Sequence, residues 1–296
     1  MLSKNDRTVS LGYLFSETTA YLCMKPNEHE FKLMGMAPYA DSDQLDRLVK
    51  ELKLLLWIDG GGQFASSVNA HNLLPQLMRI YAFERFDVIS GAIQKVAESL
   101  ICEWAAYWSN KTGTSSIAVS GGVFMNVKAV KRLAGSSFIH DLFVVPSASD
   151  ESLLISAFAI LNRSRQVKLQ PISDLYLGQS FSDDYVEKMI SREGLAKEFE
   201  IIRFSSDDVA EFVGDLLAKN EIVARCAGVE EWGARVLGNR SILCNPSNFQ
   251  NIERLNSKIK CRDFWIPFIP SILSEHLHRY AVNPKKINAT YNGYHV

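Results

Sequence analysis

Apolar residues recur at helical spacing most clearly between Asp87 and Ser109. The apolar positions of this stretch follow one another at steps of three or four: Ile89, Ile93, Val96, Leu100, Trp104 and Trp108. Such a stripe lies along one face of an α-helix and is typical of a helix that buries that face in a core. The pattern therefore predicts a long core helix, and packing explains these residues without a cofactor.

The residues before this helix predict shorter elements. Mixed apolar and aromatic residues predict a helix over 9–25, and a second helix is predicted around Leu45 to Leu56. Between them, the stretch EHEFKLMGMAPYA contains Gly35 and Pro38 and is predicted to turn. Gly60 to Gly62 predict a further turn, followed by a loop up to residue 80.

Strand and helix signals alternate after residue 112. A strand over Ser116–Val119 leads into Gly121 and Gly122 and then into a helix, and a strand over 143–146 leads into Asp150 and a helix over 152–161. This alternation predicts an α/β fold in which helices cover a sheet. Two glycines between a strand and a helix can bring backbone N–H groups against a phosphate, although many tight turns carry glycine for steric reasons. Asp150, taken by itself, is a helix N-cap.

A second α/β domain is predicted beyond a polar linker over 162–175. Ser182 is expected to cap a helix, followed by a strand over 199–204, a helix over 207–217 and a strand over 222–225. The predicted domains are therefore residues 1–166 and 167–296.

Composition narrows the class of protein. The chain of 296 residues is 47% apolar and 22% charged with a net charge of -1, as in a globular protein with a sizeable core. The sequence has no wide basic field of the kind that binds nucleic acid. It also has no apolar run of about 18 residues, so no membrane span is predicted. Five cysteines without a CxxC pair indicate reduced thiols, so we expect a cytoplasmic protein.

Local charge departs from this balance between Gly233 and Pro270, which we call the basic segment. It contains the cations Arg235, Arg240, Arg254, Lys258, Lys260 and Arg262, and between Gly233 and Arg262 the one acid is Glu253. A turn bounded by Gly233 and Gly238, a strand beginning near Ile242, and a helix of about ten residues that Ser247 caps are predicted to bring these cations together. Guanidinium and ammonium groups suit a phosphate or a carboxylate. The alternative is a solvated basic helix face, which the buried-looking aromatic residues that follow (Phe264, Trp265, Phe268) disfavour.

The basic segment also carries a family resemblance. GARVLGNRSIL and LNSKIKCRDFWIPFIPSIL resemble the long signature of NodU/CmcH-type O-carbamoyltransferases. This chain departs from it at Ala234 and Val236, which are small packing changes, and at Ile266, where many members carry arginine. SGGVFMN and VPSASD are similar to motifs of the same family's N-terminal domain.

The resemblance implies a part of an actin-like ATPase domain followed by a part of a YrdC-like domain. It implies ATP-dependent transfer of a carbamoyl group from carbamoyl phosphate, through carbamoyl-adenylate, to a hydroxyl of a sugar or natural product. Arg235 and Lys260 are the implied catalytic residues. Carbamoyl phosphate and ATP are implied to contact Asn239, Arg240, Ser241, Arg262, Gly121, Gly122 and Asn126.

Asp150 is the implied metal ligand, for Fe²⁺ or Mn²⁺. The family holds its metal with a His-x-x-x-His pair as well, and this sequence contains no such pair. We therefore expect an internal piece of a carbamoyltransferase, whose missing half a separate chain could supply. The alternative is a non-catalytic nucleotide- or phosphate-binding remnant, or an unfolded relic. The sequence does not name the acceptor.

Overall fold

The computed structural model describes residues 2–6, 8–170, 172, 174–205, 208–283 and 285. The chain forms two compact units, Met1–Ala157 with Trp265–Val296, and Phe158–Phe264.

The first unit is built around one long helix. Its helices are α1 (Leu11–Tyr21), α2 (Glu30–Met36), α3 (Asp46–Leu55), α4 (Ala70–Ile80), α5 (Phe86–Thr112), α6 (Val127–Ala134) and, beyond the second unit, α11 (Leu277–Tyr280), while α7 (Ser152–Ser164) begins here. Helices α2, α3 and α6 all pack against α5. Ile93, Val96 and Leu100 are fully buried, which confirms the predicted core stripe. The helix ends at Gly113, whose φ of 69° is left-handed.

Two small sheets accompany these helices. Strands β1 (Leu56–Ile58) and β2 (Phe64–Ser66) form an antiparallel hairpin, and β3 (Ser116–Val119) pairs in parallel with β4 (Asp141–Val144). Helix α6 connects β3 to β4, so the predicted strand–turn–helix–strand order is confirmed.

The turn predicted for EHEFKLMGMAPYA is wrong at Gly35 and forms only at the end of the stretch, around Pro38. This stretch is α2 followed by a 3₁₀ turn over Ala37–Tyr39. Gly35 lies within this helix, and a small residue is needed there because another segment approaches closely. A Cβ at this position would lie 3.4 Å from the carbonyl oxygen of Trp265. The glycine therefore allows the two segments to pack closely. The indole of Trp265 also packs on the ring of Phe86, with the ring centroids 6.5 Å apart.

The loop predicted up to residue 80 is also wrong, because α4 occupies most of it. Asn69 caps this helix by accepting a hydrogen bond from Asn72 N, and Leu73 and Leu77 bury one face. Pro75 lies inside the helix and interrupts the sequence signal.

The second unit contains α8 (Asp183–Glu193), α9 (Asp208–Ala218), β5 (Val223–Cys226), β6 (Arg240–Leu243) and α10 (Phe249–Arg254), which a π-helical turn extends over Leu255–Ile259. Ser182 caps α8, as predicted, by accepting from Tyr185 N. Among the described residues of this unit, the buried hydrophobic side chains are Leu175 and Leu255, so its core is small.

The strand predicted over 199–204 does not form. These residues have no strand partner, and the ring of Phe204 instead packs on Phe212 of α9 at 4.6 Å. The first described residue of α9 is Asp208, and residue 207, where this helix was predicted to begin, lies outside the described residues. Helices mixed with small sheets are consistent with the α/β class. None of the described helices is both long and apolar enough to cross a bilayer.

Candidate functional site

The basic segment begins in the loop between β5 and β6. These strands pair antiparallel, with Cys226 opposite Arg240 and Arg225 opposite Ser241. The Arg240 guanidinium donates to the carbonyl oxygens of Ala227 at 2.8 Å and of Asn239 at 3.2 Å. Arg240 therefore fastens the two ends of the loop to each other.

Asn239 strengthens the same closure. Its side-chain amide donates to Val229 O at 2.7 Å, and its carbonyl oxygen accepts from Ala227 N at 3.0 Å. Ser241 is half-buried within β6, and the neighbouring Arg225 donates from Nε to Gly238 O at 2.9 Å. Three of the residues predicted to bind substrate (Asn239, Arg240 and Ser241) thus lie together at the start of β6.

Arg235 lies in the middle of this loop. Its Nε atom is buried and has no hydrogen-bond partner in the described part of the chain. Burial lowers the pKa of its guanidinium. A buried guanidinium N–H without an acceptor is costly, and an anion that reaches this group would remove much of that cost.

Glu231 precedes the loop and was not identified from the sequence. One carboxylate oxygen, Oε1, accepts from the backbone N–H groups of Leu237 at 3.1 Å, Asn239 at 2.5 Å and Arg240 at 3.0 Å. Burial acts to raise the pKa of this carboxyl, but hydrogen bonds from the backbone outweigh it and the net pKa is lowered. Converging backbone N–H groups form an anion-binding nest, and here a side chain of the same protein occupies it.

The second group of cations lies on α10 and the residues after it. The predicted helix of about ten residues exists as α10 and its π-helical turn, but Asn248 caps it, by accepting from Gln250 N at 3.0 Å. Ser247 instead donates to Asn245 Oδ1 at 2.7 Å, so the predicted cap is wrong by one residue. Asparagine is about as favourable as serine at the N-cap of a helix, so Asn248 can take this position in place of Ser247.

Lys260 and Arg262 follow the π-helical turn. Lys260 is exposed, and its backbone N–H donates to Leu255 O at 2.8 Å. Arg262 donates from Nε to Oδ1 of the buried Asn256 at 2.6 Å, and burial lowers the pKa of its guanidinium. Arg262 is therefore anchored, whereas Lys260 presents its ammonium to solvent. The prediction of buried aromatic residues is wrong for Phe264, which is 68% exposed.

A separate group of predicted residues lies in the first unit, where β3 and β4 end. Gly121 has a φ of 106° and donates its N–H to Ala148 O at 2.9 Å. This bond joins the loop after β3 to the loop after β4, because parallel strands present their carboxyl ends at one edge. Gly121, Gly122 and the exposed Asp150 therefore belong to neighbouring loops, as the alternation of strands and helices predicts.

Asn126 has a structural role at this edge. Its Oδ1 caps α6 by accepting from Ala129 N at 3.0 Å and also accepts from Gln94 Nε2 at 3.0 Å. Its Nδ2 donates to Gln94 Oε1 at 2.8 Å. The predicted contact with nucleotide remains a prediction. Gln94 gave no sequence signal because it lies among the apolar residues of the long helix.

The described residues do not form a metal centre by themselves. No three His, Cys, Asp or Glu side chains among them come together as metal ligands. Asp150 supplies one carboxylate, and the Glu151 carboxylate beside it accepts a hydrogen bond from Ser147. Asp150 as a metal ligand therefore requires further donors.

Comparisons with known proteins agree with the motifs of both units. A family profile described as carbamoyltransferase N-terminus matches residues 3–159, and one described as carbamoyltransferase C-terminus matches residues 214–294. The second match includes the loop of Arg235 and the segment of Lys260 and Arg262.

Individual relatives match over nearly the whole chain. Nodulation protein NolO of Bradyrhizobium diazoefficiens is 29% identical over 276 residues, which are 90% of this chain and 49% of NolO. Nodulation protein NolNO of Sinorhizobium fredii is 28% identical over 281 residues, 92% of this chain and 40% of NolNO. An uncharacterised protein of Methanocaldococcus jannaschii is 28% identical over 290 residues, 96% and 55% of the two chains. The chain thus spans about half the length of these curated relatives.

Proposed function

Because this chain belongs to the carbamoyltransferase family, we propose that it takes part in ATP-dependent transfer of a carbamoyl group from carbamoyl phosphate to a hydroxyl of a sugar or natural product. Water releases phosphate from carbamoyl phosphate, and an oxygen of the resulting carbamate bonds to the α-phosphorus of ATP while pyrophosphate leaves. The acceptor hydroxyl then attacks the carbonyl carbon of carbamoyl-adenylate, AMP leaves, and the hydroxyl proton is released to solvent. We propose that the cytoplasm, which supplies ATP, is where this occurs.

The observation that carries the proposal is the buried, unpaired Nε of Arg235. A partly buried guanidinium in a loop that hydrogen bonds close suits the phosphate groups of carbamoyl phosphate and ATP, because its fork matches phosphate oxygens. We propose Arg235 and the exposed Lys260 as the residues that neutralise charge while pyrophosphate leaves. Asn239, Arg240, Ser241 and Arg262 then keep the surrounding backbone and cations in place.

We propose that residues 167–296 are a part of a YrdC-like adenylating domain and residues 1–166 a part of an actin-like ATPase domain. In the latter, the neighbouring loops of Gly121, Gly122, Asn126 and Asp150 would receive the nucleotide end of carbamoyl-adenylate. Asp150 would be one ligand of Fe²⁺ or Mn²⁺, and a metal bound there would polarise the carbonyl group of the intermediate.

Exchange of labelled pyrophosphate into ATP tests the adenylation step. We expect exchange that depends on carbamoyl phosphate, and we expect Lys260→Ala and Arg235→Ala to abolish it. Lys258→Ala is the matched control, because Lys258 is an exposed lysine two positions before Lys260. Full exchange by Lys260→Ala would refute its role. Phosphate binding without exchange by the unmodified chain would instead identify the non-catalytic remnant.

We also propose that a further polypeptide segment, present in the longer relatives, covers part of the first unit. Phe143 on β4 and Leu153 and Leu154 on α7 are 59%, 63% and 71% exposed, although parallel strands and their helices are normally covered. Size-exclusion chromatography of this chain with the separately produced part of NolO that this chain does not match tests the proposal. Co-elution that Leu154→Glu abolishes would support it, and separate elution would contradict it.

A further inference from the structure

Glu231 is fixed at both ends of its side chain. Its backbone neighbours are tied to the segment over 175–179, because Glu230 N donates to Gln179 O at 2.9 Å and Trp232 N donates to Leu175 O at 2.7 Å. Leu175 is one of the buried side chains of this unit. The carboxylate is therefore presented from a fixed base.

The far end of the side chain organises the loop. Oε1 accepts three backbone N–H groups, from Leu237, Asn239 and Arg240, which all lie where the loop enters β6. The φ of 111° at Gly238 lets the amides on either side of it converge on one oxygen. A carboxylate holds such amides more strongly than a neutral acceptor does. Glu231 thus closes a ring of backbone that begins and ends beside the β5–β6 hairpin.

Arg235 belongs to this ring of backbone, between Glu231 and Leu237 in the sequence. Its Nε is buried and without a partner among the described residues, so this atom makes no hydrogen bond that could orient the guanidinium. The backbone of the ring carries the Arg235 side chain and so limits where its guanidinium can lie. Removing the Glu231 carboxylate would release three amides together and let the loop relax.

We propose that Glu231 is a positioning residue for anion binding: its carboxylate shapes the loop and so holds Arg235 where a substrate phosphate binds. This inference rests on the proposed function, since it assigns Arg235 to the substrate phosphates. Oε1 of Glu231 is occupied by the protein's own backbone, so we assign this carboxylate to the loop and not to the substrate.

The first test measures the loop directly. Amide hydrogen exchange of Leu237, Asn239 and Arg240, followed by NMR in the full chain, should accelerate at least about tenfold in Glu231→Ala, as expected when buried hydrogen bonds are lost. Glu231→Gln retains an acceptor oxygen and should show a smaller increase. Glu230→Gln makes the same charge change one residue earlier at an exposed position and should leave these amides unchanged. Unchanged exchange in Glu231→Ala would overturn the inference.

The second test asks whether Glu231 acts through Arg235. Titration with inorganic phosphate should show affinity lowered about 10- to 100-fold by Glu231→Ala, the effect of losing one charge-assisted contact, with partial recovery in Glu231→Gln. Adding Glu231→Ala to Arg235→Ala should cause little further loss, because both changes remove the same contact. In pyrophosphate exchange, the loss in Glu231→Ala should appear mainly as a raised KM for carbamoyl phosphate.

The outcomes separate the inference from the proposed function. Phosphate binding that depends on Glu231 without any exchange activity would refute the enzyme and retain the positioning role. Pyrophosphate exchange that is the same in Glu231→Ala as in the unmodified chain would support the enzyme and refute the positioning role. Additive losses in the double variant, phosphate bound more tightly by Glu231→Ala, or no phosphate binding by the unmodified chain would each overturn the inference. Circular dichroism melts of every variant verify folding, and the milder Glu231→Gln decides the matter if Glu231→Ala does not fold.

Discussion

Gln94 and Asn126 join their side-chain amides through two hydrogen bonds, of 2.8 and 3.0 Å, between α5 and the start of α6. Gln94 is only 4% exposed, so solvent has little access to replace either bond. The pair fixes the helix that follows the glycine turn against the central helix of the first unit.

The first prediction concerns this pair. Asn126→Ala removes the N-cap of α6 and leaves a buried amide without its partner, so the free energy of unfolding should fall by about 2–4 kcal/mol. Asn126→Asp keeps the capping oxygen but loses the donor to Gln94, and should cost less. Urea denaturation measures both. Equal stability of Asn126→Ala and the unmodified chain would contradict the pairing.

The second prediction compares two glycines within helices. A Cβ on Gly91 of α5 would lie 2.9 Å from Leu45 Cδ2 and 3.0 Å from Ala40 Cβ, whereas one on Gly214 of α9 would meet nothing within 4 Å. Gly91→Ala should therefore lower the free energy of unfolding by about 1–3 kcal/mol through overpacking. Gly214→Ala should raise the stability of its unit by about 0.5–1 kcal/mol, because alanine favours helix. Urea denaturation that gave both changes the same sign would contradict the packing at Gly91.

The third prediction concerns Ile266, where the family resemblance leads one to expect arginine. Ile266 is 6% exposed, so an arginine there would place its charge in the interior. Ile266→Arg should destabilise the protein by at least about 3 kcal/mol and should not strengthen phosphate binding. Ile266→Met, which nearly conserves volume, should cost less than about 1.5 kcal/mol. A stable Ile266→Arg variant with tighter phosphate binding would show that this position reaches the anion site.

The fourth prediction concerns pH. Glu103 on α5 accepts hydrogen bonds from Lys53 Nζ at 2.8 Å and Ser99 Oγ at 2.6 Å. Burial acts to raise the pKa of this carboxyl, but hydrogen bonds from Lys53 and Ser99 outweigh it and the net pKa is lowered. A lowered pKa in the folded state stabilises the protein above the unfolded value of about 4.3, and this contribution is lost as the pH falls through the folded pKa.

Thermal melts of Glu103→Gln and the unmodified chain measure this contribution. The difference in Tm should be largest near neutral pH and should shrink as the pH falls below about 4. Lys95→Ala is a useful control, because it breaks a separate exposed ion pair with Asp46 and leaves Glu103 in place. A difference that grows on acidification would contradict the assigned direction of the pKa shift.

Sequence patterns predicted elements whose signal is local. The stripe from Ile89 to Leu100 and the strand over Ser116–Val119 each carry their own periodicity, and both are confirmed. Elements that depend on distant partners were not predicted correctly. Gly35 was interpreted as a turn glycine because Trp265, the residue that requires its small size, lies far away in the sequence.

The candidate site divides in the same way. Its cations were visible in the sequence because they cluster between Gly233 and Arg262. Glu231 was not, because it precedes that cluster and because its partners are backbone amides, which every residue except proline possesses. The hydrogen bonds from the loop backbone to Glu231 therefore give no sequence signal apart from the glycines of the loop.

The packing of Trp265 on Gly35 has a consequence for protein synthesis. Trp265 follows Gly35 by more than two hundred positions, so at roughly 5–20 residues per second the ribosome adds it some ten seconds or more after α2. During that interval the helices of the first unit can assemble, but the groove beside Gly35 and Phe86 stays open. The nascent chain therefore exposes an apolar notch to chaperones until the second unit has been translated.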